Sequence, residues 1–259
     1  MQFDGGVVLI NLLTSYYILT YMTPAFIPCA ESVLLLSWGN RIDSLLHAQV
    51  QALYAALRAR ALPGILDYIP AYSTLAIVLD LAYFDQQYPG DSALRIAQTW
   101  VEDTLRALPE SSRAAALPAR QLRIPVCYEP EYGPDLLTLA GQLGMQPPEL
   151  VALHTSTVYQ VYMLGFLPGF AYMGILDERI AAPRLPRPRR LAPAGSVGIA
   201  GRQTGIYPLD SPGGWNLIGR TPLRMFDAAR AEPVYLRPGD EITFYPVSSA
   251  EFDHIAQSR

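Results

Sequence analysis

Between residues 157 and 247 glycine and proline recur at such short intervals that the chain is cut into pieces of strand length. Proline removes a backbone donor and clashes with the preceding helical turn, and glycine gives up backbone entropy on entering a helix. A stretch punctuated in this way cannot sustain consecutive helices. The pieces between the breakers are rich in β-branched and aromatic residues: "TVYQVYMLGF", "GSVGIAG", "QTGIYPLD", "GWNLIGRTP" and "DEITFYPV". Short strands with frequent turns predict a closed or nearly closed barrel. Two short helices are expected just before it, over 133–144 and 146–156, the second opened by Pro147 and Pro148, where proline is tolerated.

The first half has a different rhythm. "SVLLLSWG" (32–39) is a short apolar run stopped by glycine and reads as a strand. Ile42, Leu46, Val50, Leu53 and Leu57 recur at helical spacing within 41–61. Residues 65–80 are β-rich on both sides of Pro70 and Ala71, which predicts two strands joined by a turn or bend. Asp91 is placed to cap a second helix with Leu94, Ala97, Val101 and Leu105 on one face. After the loose "PESSRAAALPAR" comes "LRIPVCYE", another strand, so the boundary is expected within 109–123. The order β-α-β-β-α-β is that of a split βαβ (ferredoxin-like) sandwich with both helices on one sheet face. The expected class is α+β: an apolar N-terminal extension over 1–30 outside the core, an α/β domain over 31–117 and a barrel domain over 118–259. The α/β domain holds no polar constellation suited to chemistry and reads as a docking or structural module.

Of the 259 residues 51% are hydrophobic and 16% charged, which supports a sizeable core and excludes a disordered chain. A net charge of −4 argues against a dedicated nucleic-acid binder. Cys29 and Cys127 are too few for a disulfide framework and wrongly spaced for zinc. With His47, His154 and His254 scattered, no metal centre is expected. A reducing cytoplasm is the default. One segment resists it: residues 5–30 carry no charge, and "VVLINLLTSYYILTYM" approaches the ~20 apolar residues of a membrane helix. Three readings are open: a start at Met22 with 1–21 as an upstream extension, an arm packed on the fold, or a membrane or export segment. A signal peptide would want a basic start, and only Asp4 precedes the apolar run. The cytosolic character of the remainder decides against a membrane protein.

Candidate functional residues cluster in four stretches of the barrel half. They contribute His154; Phe166, Phe170 and Tyr172; Ser196, Gln203, Tyr207 and Trp215; and Asn216, Arg220 and Thr221. Each has an ordinary alternative. A histidine near a helix end is more often a cap or core residue than a catalyst, and aromatics such as Phe170 and Tyr172 are more often core. An arginine beside strand-ending glycines pairs as readily with an internal carboxylate as with a ligand. Ser196 lacks the GxSxG setting of a hydrolase nucleophile. "GSVGIAGRQTG" has no GK[ST] and opens no helix, which makes it weak evidence for a nucleotide site. "APRLPRPRRLAPAG" carries Arg184, Arg187, Arg189 and Arg190 among prolines and reads as a surface polyproline-type loop, or more sharply as a basic rim for phosphate or an acidic partner.

"VYMLGFLPGFAYMGILDERIAAPRL" followed by "PAGSVGIAGRQTGIYPLDSPGGWNLIGRTPLRMFD" resembles the signature of the KipI / allophanate hydrolase subunit 1 family, in a motif block running from 124 to 247. "LLLSWGNRID" and "YIPAYSTLAIVLD" fit that family's N-terminal domain, so the likeness covers nearly everything after residue 30. Residues 1–21 have no counterpart in it. The resemblance implies a small α/β domain followed by a cyclophilin-like barrel. It also implies the B subunit of a bacterial ATP-dependent 5-oxoprolinase, a hydrolase acting on a cyclic amide. That enzyme converts 5-oxo-L-proline, ATP and water to L-glutamate, ADP and phosphate, and is active only when the partner A and C subunits are present. The implied contribution is to phosphorylation of the lactam, with ATP bound together with a partner subunit. Such a step needs carboxylate and amide recognition with positive charge near the phosphoryl group. On that footing His154, Gln203 and Arg220 are the expected catalytic residues. Phe170, Tyr172, Ser196, Tyr207, Trp215 and Asn216 are the expected substrate contacts, with Trp215 as a wall and Arg220 as an anion contact. The family also implies two alternatives: a regulatory binder inhibiting a sensor histidine kinase, and a component related to allophanate or urea carboxylation.

Overall fold

The structure, a computed structural model, describes residues 23–109 and 119–258. The chain divides into two compact units, with the boundary between residues 117 and 118. The first contains β1 (Ala25–Ala30), β2 (Val33–Ser37), α1 (Ser44–Arg60), β3 (Ile65–Pro70), β4 (Thr74–Leu79), α2 (Leu81–Gln87) and α3 (Ala93–Ala107). Its strands form one antiparallel sheet in the order β1-β2-β4-β3. Alternate residues of β2 and β4, among them Leu34, Leu36, Leu75 and Ile77, are buried on one face, the period of a sheet covered on that side. They share a core with Leu46, Val50, Leu53 and Leu57 of α1 and with Ala97 and Val101 of α3. The helical spacing read over 41–61 is therefore the buried face of α1. That helix begins where the Asp43 carboxylate accepts the N–H groups of Leu45 and Leu46, at 2.8 and 3.1 Å, satisfying donors that no helical carbonyl reaches.

Three expectations change in this unit. Residues 25–30 are not outside the fold but form the edge strand β1, with Phe26 packed against the core. The closing strand expected from "LRIPVCYE" belongs to the second unit, and the place beside β2 is filled by β1 from the other side in sequence. A tight hairpin between β1 and β2 closes a far shorter loop than a return through 109–120 would, at lower entropic cost. Ser92, not Asp91, caps α3, its hydroxyl accepting the Arg95 N–H. The expectations for residues 1–21 lie outside the described residues. Among the described residues no helix is long and apolar enough to cross a membrane.

The second unit contains β5 (Gln121–Val126), α4 (Leu136–Gln142), α5 (Pro147–Ser156), β6 (Val158–Leu164), β7 (Ala171–Gly174), β8 (Arg189–Ala192), β9 (Ser196–Ala200), β10 (Gln203–Ile206), β11 (Ser211–Gly213), β12 (Asn216–Arg220), β13 (Glu241–Pro246) and α6 (Ser249–Gln257). Seven strands form one sheet in the order β12-β9-β10-β7-β6-β13-β5, and β8 pairs with β11 in a separate ladder. The large sheet curls into a half-barrel until its edges touch. Just past β5, the Cys127 N–H donates to the Arg220 carbonyl at 2.8 Å, and the Arg220 N–H donates back at 2.9 Å. Inside the curl lie Val161, Met173, Val197, Ile199, Ile206, Ile218 and Phe244.

Two details depart from the sequence reading. Arg189–Ala192 is a strand, so the Arg/Pro run is a loop only over its first part. The helix α6 was not anticipated, although its start is a capping box. Glu251 accepts the Ser248 N–H at 2.8 Å and the Ser248 hydroxyl accepts the Glu251 N–H at 3.3 Å, so S-x-x-E was a legible signal.

Candidate functional site

Strand alternation sorts the barrel residues onto two faces. Ala171, Met173, Val197, Ile199, Thr204 and Ile206 point inward. Phe170, Tyr172, Ser196, Gln203 and Tyr207 fall on the outer face of the same strands. Gly205 stands opposite Tyr172 on one side and Gly198 on the other. A Cβ at Gly205 would lie 3.0 Å from the Ala171 carbonyl oxygen, 3.0 Å from the Trp215 ring and 3.1 Å from the Phe170 ring. The missing side chain lets two aromatic rings lie directly on the sheet. Phe170 is the hub, with ring centroids 4.8 Å from Tyr172, 5.2 Å from Tyr207 and 5.4 Å from Trp215, the last two nearly edge-on, a favoured arrangement.

Four of the expected substrate contacts thus meet in one cluster, but as packed rings. Phe170, Tyr207 and Trp215 are buried; Tyr172 is half-buried, and Phe166 stands edge-on to Phe170 with 62% of its surface exposed. Ser196 and Asn216 are buried as well. The Asn216 amide donates to the carbonyls of Pro183 and Ile199, at 2.9 and 3.2 Å, and so ties the start of the Arg/Pro run to the sheet. The Leu185 N–H donates to the Gly214 carbonyl at 2.7 Å, and Arg189 pairs with Asp135, whose carboxylate also accepts the Leu217 N–H at 2.6 Å. Burial raises the phenol pKa of both Tyr172 and Tyr207, and the charge of the exposed Arg184 opposes the rise at each.

The expected catalytic trio does not assemble. Gln203 pairs with Ala200 at one end of β9, and Arg220 with Ser196 at the other. Four strand steps separate those ends, about 13 Å. The Arg220 side chain is half-buried and its Nε–H donates to the Ala194 carbonyl at 2.8 Å, so its partner is neither a carboxylate nor a neighbouring site residue. His154 is fully buried on the inner side. Its Nε2 lies 3.0 Å from the Thr204 hydroxyl, which itself donates to the Gly198 carbonyl, and its Nδ1 lies 2.8 Å from the Tyr128 hydroxyl. Thr204 has one proton to give, so it accepts from Nε2–H, and Nδ1 accepts from Tyr128. The ring stacks on Phe244 at 4.6 Å, and burial pushes its pKa down to about 3. With both nitrogens engaged and no exposed surface, this imidazole offers no acceptor to a solute. It is a polar link within the core.

Two features of this face had no sequence signal strong enough to find them. One is the charge of Arg184 acting on the two tyrosines. The other is the backbone of Phe166, at φ 70°. Among the described residues no group of three His, Cys, Asp or Glu is placed to hold a metal ion.

The profile of the carboxyltransferase domain family, subdomain C and D, matches residues 24–236. This chain belongs to that family. The B subunit of 5-oxoprolinase from Bacillus subtilis (strain 168) is 38% identical to it over 224 residues, across 86% of this chain and 92% of that protein. The crystal structure of TTHA0988 superposes with a TM-score of 0.70 at 36% identity over 84% of this chain, which spans 40% of that longer polypeptide. The K. lactis urea amidolyase also superposes with a TM-score of 0.70, over 92% of this chain and 16% of its own length. At 17% identity that likeness speaks of the fold alone, a mixed α+β architecture with a curled half-barrel sheet.

Proposed function

We propose that this chain serves as the B subunit of a cytoplasmic multi-subunit 5-oxoprolinase, the enzyme that converts 5-oxo-L-proline, ATP and water to L-glutamate, ADP and phosphate. The observation that carries the reading is a 38% identity that runs across nearly the whole of both chains. Such a role implies companions, here taken to be the A and C subunits of the same enzyme.

Among the described residues, the glycine-rich hairpin does not fit the phosphates of ATP. The glycine-rich stretch 195–205 is the β9–β10 hairpin; Gly205 is covered by the Trp215 and Phe170 rings, Gly198 by the Trp215 Cβ and the Leu217 side chain, and Gly201 faces open space at the turn. No helix N-terminus follows to receive a phosphate, as a phosphate-cradling loop requires. The nucleotide is therefore assigned to a partner subunit, and the outer face of the half-barrel to the organic substrate. A half-buried tyrosine, an exposed aromatic ring and arginines suit a small ring that carries a carboxylate.

Co-expression with candidate A and C subunits, followed by measurement of glutamate formed from 5-oxoproline and ATP, tests the reading. Turnover is expected from the full set and not from this chain alone, which is expected to hydrolyse no ATP. No turnover by the full set, or substantial turnover by the isolated chain, overturns it.

A further inference from the structure

The four-stranded sheet of the first unit is covered by helices on one side: α1, α2 and α3 all give their buried residues to the same core. Register sets out what the other side presents, because directly paired residues share a face. One row crosses all four strands, in the order β1-β2-β4-β3, as Ile27, Leu35, Ala76 and Ile69. The row beside it is Ala30, Val33, Val78 and Asp67. Ile27 and Ile69 are 42% and 47% exposed, and Leu35, Ala76, Val33 and Val78 are part-exposed. A contiguous apolar face of this kind marks a contact with another protein surface. The sheet edges suit one poorly, since Pro28 lies within β1 and the pairing of β3 slips between Ile65 and Asp67, and both devices blunt an edge against an added strand.

The face is complementary to itself. Its first row runs large, large, small, large, with Ala76 leaving a trough on β4 between Leu35 and Ile69. Let a two-fold axis run along the strands, midway between β2 and β4 and between two stacked sheets. Each β2 then faces β4 of the other copy. Leu35 enters the trough at Ala76 of the second copy, Ile27 meets its Ile69, and Val33 meets its Val78. Asp67 is the acidic side chain of the two rows and sits on the edge strand, its carboxylate accepting the Tyr68 N–H at 2.8 Å. The two copies of Asp67 fall at opposite rims, three strand spacings or about 14 Å apart, beyond the ~8 Å over which exposed charges act at physiological salt. An identical copy therefore brings no repulsion, and a charged partner would find little to pair with.

We propose that this open face is an interface between two copies of the chain, stacked sheet on sheet with Leu35 of each against Ala76 of the other. The pairing is independent of any catalytic role. Four strands at ~4.8 Å and five residues at ~3.3 Å give each copy roughly 300 Å² in projection, below the ~800 Å² a side of a standard stable interface, so the dimer is weak and reversible.

Sedimentation equilibrium of the full chain, from about 1 to about 200 μM, should show a monomer–dimer equilibrium. Ile69→Lys, at an exposed position, should raise the dissociation constant about ten-fold or more with the Tm unchanged. Ala76→Leu should do the same by setting leucine against leucine. Adding Leu35→Ala to Ala76→Leu exchanges the large and small partners and should bring the constant back near the wild-type value. This size exchange decides the matter even where the lysine lowers the Tm. A wild type that stays monomeric throughout overturns the proposal. So does a dimer indifferent to Ile69→Lys, which lies on another surface, or one lost on removal of residues 1–22, which that segment holds together. A monomer that binds a companion subunit through this face, with binding abolished by Ile69→Lys, assigns the face to the companion and overturns it too. Failure of the double substitution to restore association overturns the pairing of Leu35 with Ala76 and the two-fold arrangement with it.

Discussion

Cys127 and Arg220 exchange two backbone hydrogen bonds, at 2.8 and 2.9 Å, and through them the first strand of the half-barrel meets the strand at its opposite edge. The closure is made by main-chain atoms. The arginine side chain is engaged separately, through Nε–H to the Ala194 carbonyl.

Backbone and side chain of Arg220 can therefore be separated by mutation. Arg220→Ala should leave the sheet closed and cost about 0.5–1.5 kcal/mol for the lost hydrogen bond, a Tm shift of a few degrees. If the guanidinium also meets an anion in the assembled enzyme, activity falls about ten-fold or more, since a charge-assisted bond contributes roughly 1.5–3 kcal/mol. Arg220→Lys should fall between, having charge but no planar fork. Thermal melts and complex activity measured side by side check this; a large thermal loss that tracks the activity loss makes Arg220 a residue of the fold.

His154 sets a pH dependence. An ordinary histidine binds its proton near pH 6.5, whereas the buried His154 resists protonation down to about 3. Between those values the unfolded chain holds more protons than the folded one, so this contribution to stability is full above about pH 6.5 and lost as pH falls toward 3. From pH 7 to pH 5 the loss attributable to His154 is about 2 kcal/mol. Urea melts at the two pH values should show it. His154→Gln should be less stable at pH 7, with Tyr128 and Thr204 poorly matched, yet decline less on acidification. Parallel declines would mean that His154 is not the buried neutral ring described.

Two glycines should respond to alanine in opposite directions. At Gly133 a Cβ would press into the Ile218 carbonyl, a backbone group that cannot rotate away. Gly133→Ala should cost about 3 kcal/mol or more by overpacking. Gly141 is an exposed position in α4 with open space where the methyl would go, and Gly141→Ala should stabilise by about 0.5–1 kcal/mol. Chemical denaturation of both variants decides the matter, and equal effects would refute the close approach at Gly133.

Much of this architecture is legible in the primary structure because it depends on local rules. The leucines of α1 recur at helical spacing because one face is buried, and the frequent glycines and prolines after residue 157 leave only strand-length pieces. Partner choice over long distances is not legible. "LRIPV" would serve as a strand in either unit, and only the assembled sheet shows it beside β13. The site was harder for a related reason. Gly205 does mark space left vacant by a missing side chain, but the rings of Trp215 and Phe170 take it. The sequence leaves His154 more often a cap or core residue than a catalyst, and the partners that decide it, Tyr128 and Thr204 on its two nitrogens, are far away in sequence.

Asp135 anchors the loop before α4 to β12 and to the Arg/Pro run at once, through the Leu217 N–H and Arg189. Asp135→Asn keeps the size but removes the charge that both donors face. A loss of about 2 kcal/mol is expected, in the range for hydrogen bonds to charged groups, discounted because the pair is only part-buried. An unchanged Tm would show the pair to be incidental.

β13 lies between β6 and β5 in the sheet, although both are made long before it. A nascent chain that has reached residue 240 has every other strand of the half-barrel, but the edge strand β5 has no neighbour in the sheet until β13 fills the place between it and β6. The second unit therefore cannot complete its fold progressively from its N-terminal end. Its sheet is completed only when β13 inserts between β6 and β5, and its pairing with β5 joins segments far apart in sequence, which slows folding.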